Sequence, residues 1–189
     1  MSIADSPSAA APSAVLEAAG RELAEATLAG AGGRGAVERY ADRVDGVIRQ
    51  TFARAPAPAQ PVVVAALGGY GRRHLCLHSD VDILVLFAGT IGPEDERFVS
   101  GFLNPLWDLK LVLGHQVREL ADLARLETDN PEFLLALLDA RPIAGDRELF
   151  DRFTAQYHRH DTHAFIVSSL QELIAQRHAQ VDDTLYQLQ

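Results

Sequence analysis

The run Val62-Val63-Val64-Ala65-Ala66-Leu67, stopped by Gly68-Gly69, constrains this chain more than any other stretch. An unbroken apolar segment without polar alternation reads as a strand buried on both faces, and the glycine pair ends it in a turn. Upstream, Pro56-Ala57-Pro58-Ala59-Gln60-Pro61 cannot extend a helix, because proline lacks an amide hydrogen and disfavours helical geometry in its predecessor. A second apolar run, residues 80–87, follows the glycine turn after about ten residues. Strands of this kind need cover on both sides. The expected fold class is therefore α/β (α+β), a small mixed sheet flanked by helices.

Helical spacing supplies the cover. Val15, Leu16, Ala19, Leu23 and Leu28 predict one helix, and Val37, Tyr40, Ala41, Val44, Val47 and Ile48 a second, with glycines between residues 30 and 35 as the breaker. Residues 94–111 return to helical spacing through Phe98, Phe102, Leu106, Trp107 and Leu109, with Trp107 read as core and Pro105 as a kink. Residues 111–117 read as a third strand and 118–127 as a helix. Asn130-Pro131 opens another helix with Phe133, Leu134, Leu137 and Leu138 as its stripe. Gly145-Asp146 opens a further one, and residues 163–189 read as a long polar helix. The expected organisation is a disordered start (1–12), N-terminal helices (13–55), a core domain (56–128) and a helical region (129–189).

Charge and cysteine usage exclude several classes. Seventeen basic against 26 acidic residues give a net charge of −9, which opposes nonspecific binding to nucleic acid. The single cysteine, Cys76, allows neither an internal disulfide nor a cysteine-rich zinc site, and it reads as a small packing residue. No basic, apolar leader opens the chain and no run reaches the ~18–20 residues of a membrane span, so a cytoplasmic location without membrane contact is expected.

The chemistry concentrates between residues 67 and 86. Gly68 and Gly69 let the backbone approach a bulky anion, since no Cβ shields their amides. Asp80 and Asp82 then fall on one face of the next strand, about 7 Å apart along the chain, while Val81 and Ile83 point into the core. Two bare carboxylates at that spacing repel by roughly 2.4 kcal/mol at an effective dielectric near 20, so a cation between them is favoured. Magnesium suits two carboxylates joined by substrate phosphates. Ser79 is placed to donate its hydroxyl to a phosphate oxygen, and Arg72 and Arg73 to neutralise a triphosphate. Taken singly, an acid pair at this spacing is also what a solvated strand face carries, and a glycine pair is a common turn; their conjunction carries the reading. A P-loop is excluded, because no Gly-Lys pair follows the required spacing. The dinucleotide fingerprint fails at His74, where its third glycine belongs.

The run 67–86 resembles the signature of the nucleotidyltransferase superfamily that includes DNA polymerase beta, in the form carried by bacterial PII-protein uridylyltransferases/uridylyl-removing enzymes. The similarity continues through Leu106-Trp107-Asp108-Leu109, Gly114-His115-Gln116-Val117-Arg118, Leu138-Asp139-Ala140-Arg141, Gly145-Asp146-Arg147-Glu148-Leu149-Phe150, Gln176-Arg177-His178 and Asp183-Thr184-Leu185-Tyr186, about residues 35–189 in all. What the resemblance implies is a polymerase beta-like core that transfers UMP from UTP to a tyrosine of a PII-type nitrogen-regulatory protein. Gly68 and Gly69 would hold the triphosphate, and Asp80 and Asp82 would bind Mg2+. His74 and Leu77 depart from the family pattern at turn positions. The third carboxylate is the larger gap: Val112 stands where an acid is sought, with Asp108 and Glu119 as neighbouring alternatives. Two-acid catalysis, an acid elsewhere and a noncatalytic nucleotide-binding module all stay open, as does transfer to a different acceptor. Since the family's proteins continue into phosphohydrolase and sensing domains, the resemblance also implies that this chain is a fragment.

Other features carry less. His158, His160, His163 and Asp161 cluster without the spacing of an established metal site and read as a solvated helix end. Tyr70, an aromatic within the glycine turn, is a candidate to face the nucleotide.

Overall fold

The computed structural model describes residues 11–109, 111–123 and 131–157, together with positions 167, 168, 170–172, 174, 175, 178 and 179. Two long helices, α1 (Pro12–Leu28) and α2 (Arg34–Arg54), precede the sheet. Strand β1 (Val62–Ala66) leads through the single-turn helix α3 (Gly68–Gly71) into β2 (Val81–Phe87). Helix α4 (Pro93–Asp108) then crosses to β3 (Leu113–Glu119), followed by α5 (Leu120–Leu123), α6 (Pro131–Leu138), β4 (Arg141–Gly145) and α7 (Arg147–Tyr157). The four strands lie in the order β3-β2-β1-β4. β1 is antiparallel to β2 and β4, and β2 is parallel to β3, the pairing a helical crossover allows. This is the expected small mixed sheet flanked by helices.

The two inner strands are buried on both faces, and their side chains divide by parity. Val62, Val64, Ala66, Val81, Ile83, Val85 and Phe87 meet α1, α2 and α4 in one cluster, where Phe98 stacks on Phe102 and meets Phe87 edge-on. Val63, Ala65, Leu67, Leu84 and Leu86 meet α6 and α7 through Phe133, Leu134, Leu137, Leu149, Phe150 and Phe153. Asp95, buried in the first turn of α4, accepts hydrogen bonds from the amides of Ala59 and Gly92 and from Gln60, which ties the proline-rich connector to the sheet.

Several expectations are corrected. β4 is a strand where the sequence suggests only helix: Arg141-Pro142-Ile143-Ala144-Gly145 lacks strand periodicity, and its pairing with β1 depends on a register shift between Val64 and Ala65. Proline is tolerated there because β4 is an edge of the sheet. β3 begins two residues later than expected and stays paired to Glu119, because the ladder with β2 runs to Phe87. Trp107 is half exposed, one residue off the stripe formed by Phe98, Phe102, Leu103 and Leu106, and meets His115 edge-on at 5.5 Å. Cys76 is exposed in the loop rather than packed. Pro105 sits within a continuous α4. Residues 158–163, with the histidine cluster, lie outside the described residues. So does much of the expected helix over 163–189, although the described positions between 167 and 179 are helical. Among the described residues no helix is long and apolar enough to cross a membrane.

Gly145 closes β4 with φ of 96°, and a Cβ there would overlap the carbonyl of Val62. Gly145→Ala is therefore expected to destabilise the fold by about 2 kcal/mol or more, since both conformation and space oppose it. Gly46, inside α2 and facing open space, has the opposite expectation. Gly46→Ala should stabilise by about 0.5–1 kcal/mol. Urea unfolding of both variants beside the parent chain tests the pair of signs.

Candidate active site

The glycine turn and the acid pair are brought together by strand pairing rather than by proximity in sequence. β1 and β2 run antiparallel with Ala66 opposite Ile83, and the Leu67 amide then donates to the Asp82 carbonyl at 2.9 Å. The end of β1 therefore lies beside the start of β2. Gly68 enters the turn at φ of 50°, a conformation that favours glycine. As the first residues of α3, Gly68 and Gly69 have no acceptor for their amides within the helix. The Gly71 amide returns to the Leu67 carbonyl, and the His74 amide to that of Gly69.

Asp82 shares a face with Leu84 and Leu86, toward α6, while Val81 and Ile83 are buried on the opposite face. A cavity of about 290 Å3 opens there, lined by Leu67, Asp82, Gly114, Gln116, Phe133 and Ala136. Gly114 is the register partner of Asp82, and a Cβ at Gly114 would overlap the Asp82 carboxylate. The missing side chain thus makes room for that carboxylate. Partial burial pushes the Asp82 carboxyl above its ordinary value, and the neighbouring charge of Asp80 pushes it the same way. Asp80 itself is exposed. Two repelling carboxylates, one half-buried at a cavity wall with space cleared for it, form a donor set that fits a hard divalent cation such as Mg2+.

The other expected site residues are engaged locally. Arg72 forms an ion pair with Asp139, at the junction of α6 and β4, while remaining half exposed. Arg73 reaches both carboxylate oxygens of Asp42 at 2.6 Å. The Ser79 hydroxyl accepts the Cys76 amide at 3.3 Å in the loop before β2. Ser79 lines a separate apolar cavity of about 410 Å3 with Leu23, Val37 and Leu77. Tyr70 does not face a ligand: it is buried, and its hydroxyl donates to Asp45 at 2.7 Å. Among the described residues no third histidine, cysteine, aspartate or glutamate joins the acid pair to make a metal-ligating group. Val112 precedes β3 and is largely exposed, and the Glu119 carboxylate accepts the Ile91 amide at the far end of the strand. The positions of β3 in phase with Asp82 are Gly114, Gln116 and Arg118, none of them acidic.

Residues that sequence reasoning missed are Gly114, Gln116, Asp139 and the pair Asp45 and Arg141. One signal was present. Asp45 lies in helical phase with Ala41 and Ile48, so an acid falls on the apolar stripe of α2 and requires a buried partner.

Because the Asp82 carboxyl is raised in the fold, the folded state holds its proton more tightly than the unfolded state does. Stability from this group is then lost as pH rises from the ordinary value of 3.8 through the raised one. In metal-free buffer, Asp82→Asn should raise the melting midpoint at pH 7, and the gain should vanish below pH 3.8, where both forms are neutral. Thermal melts across that pH range check the sign.

No protein-family model matches the chain. Among curated proteins, a bifunctional uridylyltransferase/uridylyl-removing enzyme of Burkholderia vietnamiensis is 34% identical over 98% of this chain. The corresponding enzyme of Bordetella avium is 40% identical over 77% of it. The chain spans 22% of the first relative's length and 17% of the second's. Among solved structures, a toxin–antitoxin crystal structure with AMP-PNP overlaps 73% of this chain and 96% of its own, at 19% identity and a TM-score of 0.33, too low to bear on function. Over nearly all its length, the chain is thus a relative of the bifunctional uridylyltransferase/uridylyl-removing enzymes, matched along about one fifth of theirs.

Proposed function

We propose that this chain carries the nucleotidyl-transfer site of a uridylyltransferase, moving UMP from UTP to a tyrosine of a PII-type signalling protein in the cytoplasm. The observation that carries the reading is the acid pair beside the glycine turn, with Asp82 half-buried in space that Gly114 leaves open. The uridylyltransferase activity for which the relatives are named supports the same reaction class.

In this reading Asp80 and Asp82 hold Mg2+, which would supply charge neutralisation for the triphosphate and for the departing pyrophosphate. Gly68 and Gly69 present unblocked amides to the phosphate chain. Arg72, held beside the turn by Asp139, adds positive charge on the solvent side, and Ser79 stabilises the loop that leads into the acid pair. The acceptor hydroxyl oxygen bonds to the α-phosphorus, the bond from that phosphorus to the β-phosphate bridging oxygen breaks, pyrophosphate leaves, and the hydroxyl proton passes to solvent. The protein's part is to align and neutralise, which accounts for most of the catalysis in phosphoryl chemistry of this kind.

A second reading, a noncatalytic nucleotide-binding module, rests on a specific observation: Gly114, Gln116 and Arg118 occupy the β3 positions in phase with Asp82. The two readings separate in one assay. With α-labelled UTP, Mg2+ and a PII-type acceptor, the transferase reading expects label in the acceptor. It also expects that Asp80→Asn and Asp82→Asn each lower transfer by about 100-fold or more. Magnesium-dependent UTP binding with no transfer at all would instead establish the second reading.

A further inference from the structure

The most heavily bonded polar group in the described core lies outside the acid pair. Asp45 of α2 is almost fully buried, and its carboxylate is reached from three elements. The Tyr70 hydroxyl of α3 donates at 2.7 Å, Arg141 of β4 donates twice, at 2.6 and 3.1 Å, and Arg49 of α2 donates at 3.2 Å. Arg141 in turn donates through Nε to the Gly71 carbonyl at 3.2 Å, and its guanidinium lies over the Tyr70 ring at 5.7 Å. Arg49 reaches the Ile143 carbonyl at 3.0 Å, so α2 and β4 are held together on the same carboxylate. Burial opposes the guanidinium charge of Arg141, and the hydrogen bonds and charge of Asp45 more than offset it.

These bonds converge on the C-terminal end of the glycine turn. Tyr70 and Gly71 are its last two residues, and Gly71 presses so closely on the Asp139 carbonyl that any Cβ would overlap it. Tyr70 and Gly71 are buried, whereas Gly68 and Gly69, at the other end, stay partly exposed. A buried carboxylate and guanidinium cost desolvation that hydrophobic residues would avoid, so the network is not explained as simple stabilisation.

We propose that Asp45, Tyr70 and Arg141 are positioning residues that fix the glycine turn so that Gly68 and Gly69 meet the β- and γ-phosphates of the nucleotide. The proposal rests on the nucleotidyl-transfer reading of the site and adds to it the source of the turn's rigidity. The turn is held from behind by Asp45, 25 positions upstream of Tyr70, and by Arg141, 70 positions downstream of Gly71. Slackening it weakens triphosphate contacts specifically and leaves a nucleoside monophosphate, which lacks those two phosphates, unaffected.

The test compares magnesium-dependent binding of UTP and UMP to the 189-residue chain by competition against a fluorescent UTP analogue, at temperatures where every variant is folded by circular dichroism. Tyr70→Phe removes one donor and keeps the ring; Arg141→Lys keeps the charge but loses the fork that spans Asp45 and Gly71. Each variant should weaken UTP about tenfold and UMP less than about twofold, the size expected for one lost hydrogen bond to a charged group. Equal weakening of both nucleotides, or a lower melting midpoint with unchanged affinities, would overturn the proposal and leave the network a purely structural one. If the unmodified chain binds UTP no better than UMP, the nucleotidyl-transfer reading itself falls and the positioning role falls with it.

Discussion

The register between β1 and β2 is the constraint on which the rest depends. Five residue pairs, from Val62 with Phe87 to Ala66 with Ile83, place the glycine turn next to Asp82. A slip of one residue would move Asp82 from the α6 face to the opposite one, which packs against the apolar cluster of α1, α2 and α4 and opposes an unpaired carboxylate. The inner strands are apolar on both faces, so alternation of side chains does not choose the register. Asp82 does, since it is the one charged residue within β2. The same carboxylate that marks the site therefore helps to align the sheet that builds it.

Two acidic residues in this fold are handled in opposite ways. Asp45 is buried and fully engaged by a tyrosine and two arginines, joining α2, α3 and β4. Asp82 is half-buried beside a like charge and has a cavity before it. The first arrangement is paired within the chain. The second is opposed by burial and by its neighbour's charge, an opposition that a bound cation would relieve. That contrast, more than either residue's exposure, supports the proposed assignment of Asp45 to structure and Asp82 to chemistry.

The parts of this protein legible in its sequence are those governed by local rules. Glycine at the end of an apolar run gave the turn, and helical periodicity gave α1, α2 and α4. What stayed hidden depends on tertiary contact. β4 holds a proline, an arginine and a glycine within five residues and becomes a strand only by pairing with the edge of β1. Tyr70 in isolation suits a ligand-facing turn, but its hydroxyl finds Asp45, 25 residues away, and the ring turns inward. Arg72 has no partner legible in its neighbourhood, and only the fold brings Asp139, 67 residues downstream, beside it. Gly114 reads as an unremarkable glycine in a strand, and only the parallel ladder shows that it clears space for Asp82.

The central claim, that a divalent cation binds at the start of β2 beside the glycine turn, is most directly tested by nuclear magnetic resonance with a paramagnetic ion. Substoichiometric Mn2+ added with UTP to the isotopically labelled chain should first broaden the amide signals of Gly68, Gly69, Asp82 and Gly114, and excess Mg2+ should restore them. Broadening centred elsewhere, or spread evenly over the acidic surface with those four signals spared, would contradict the account.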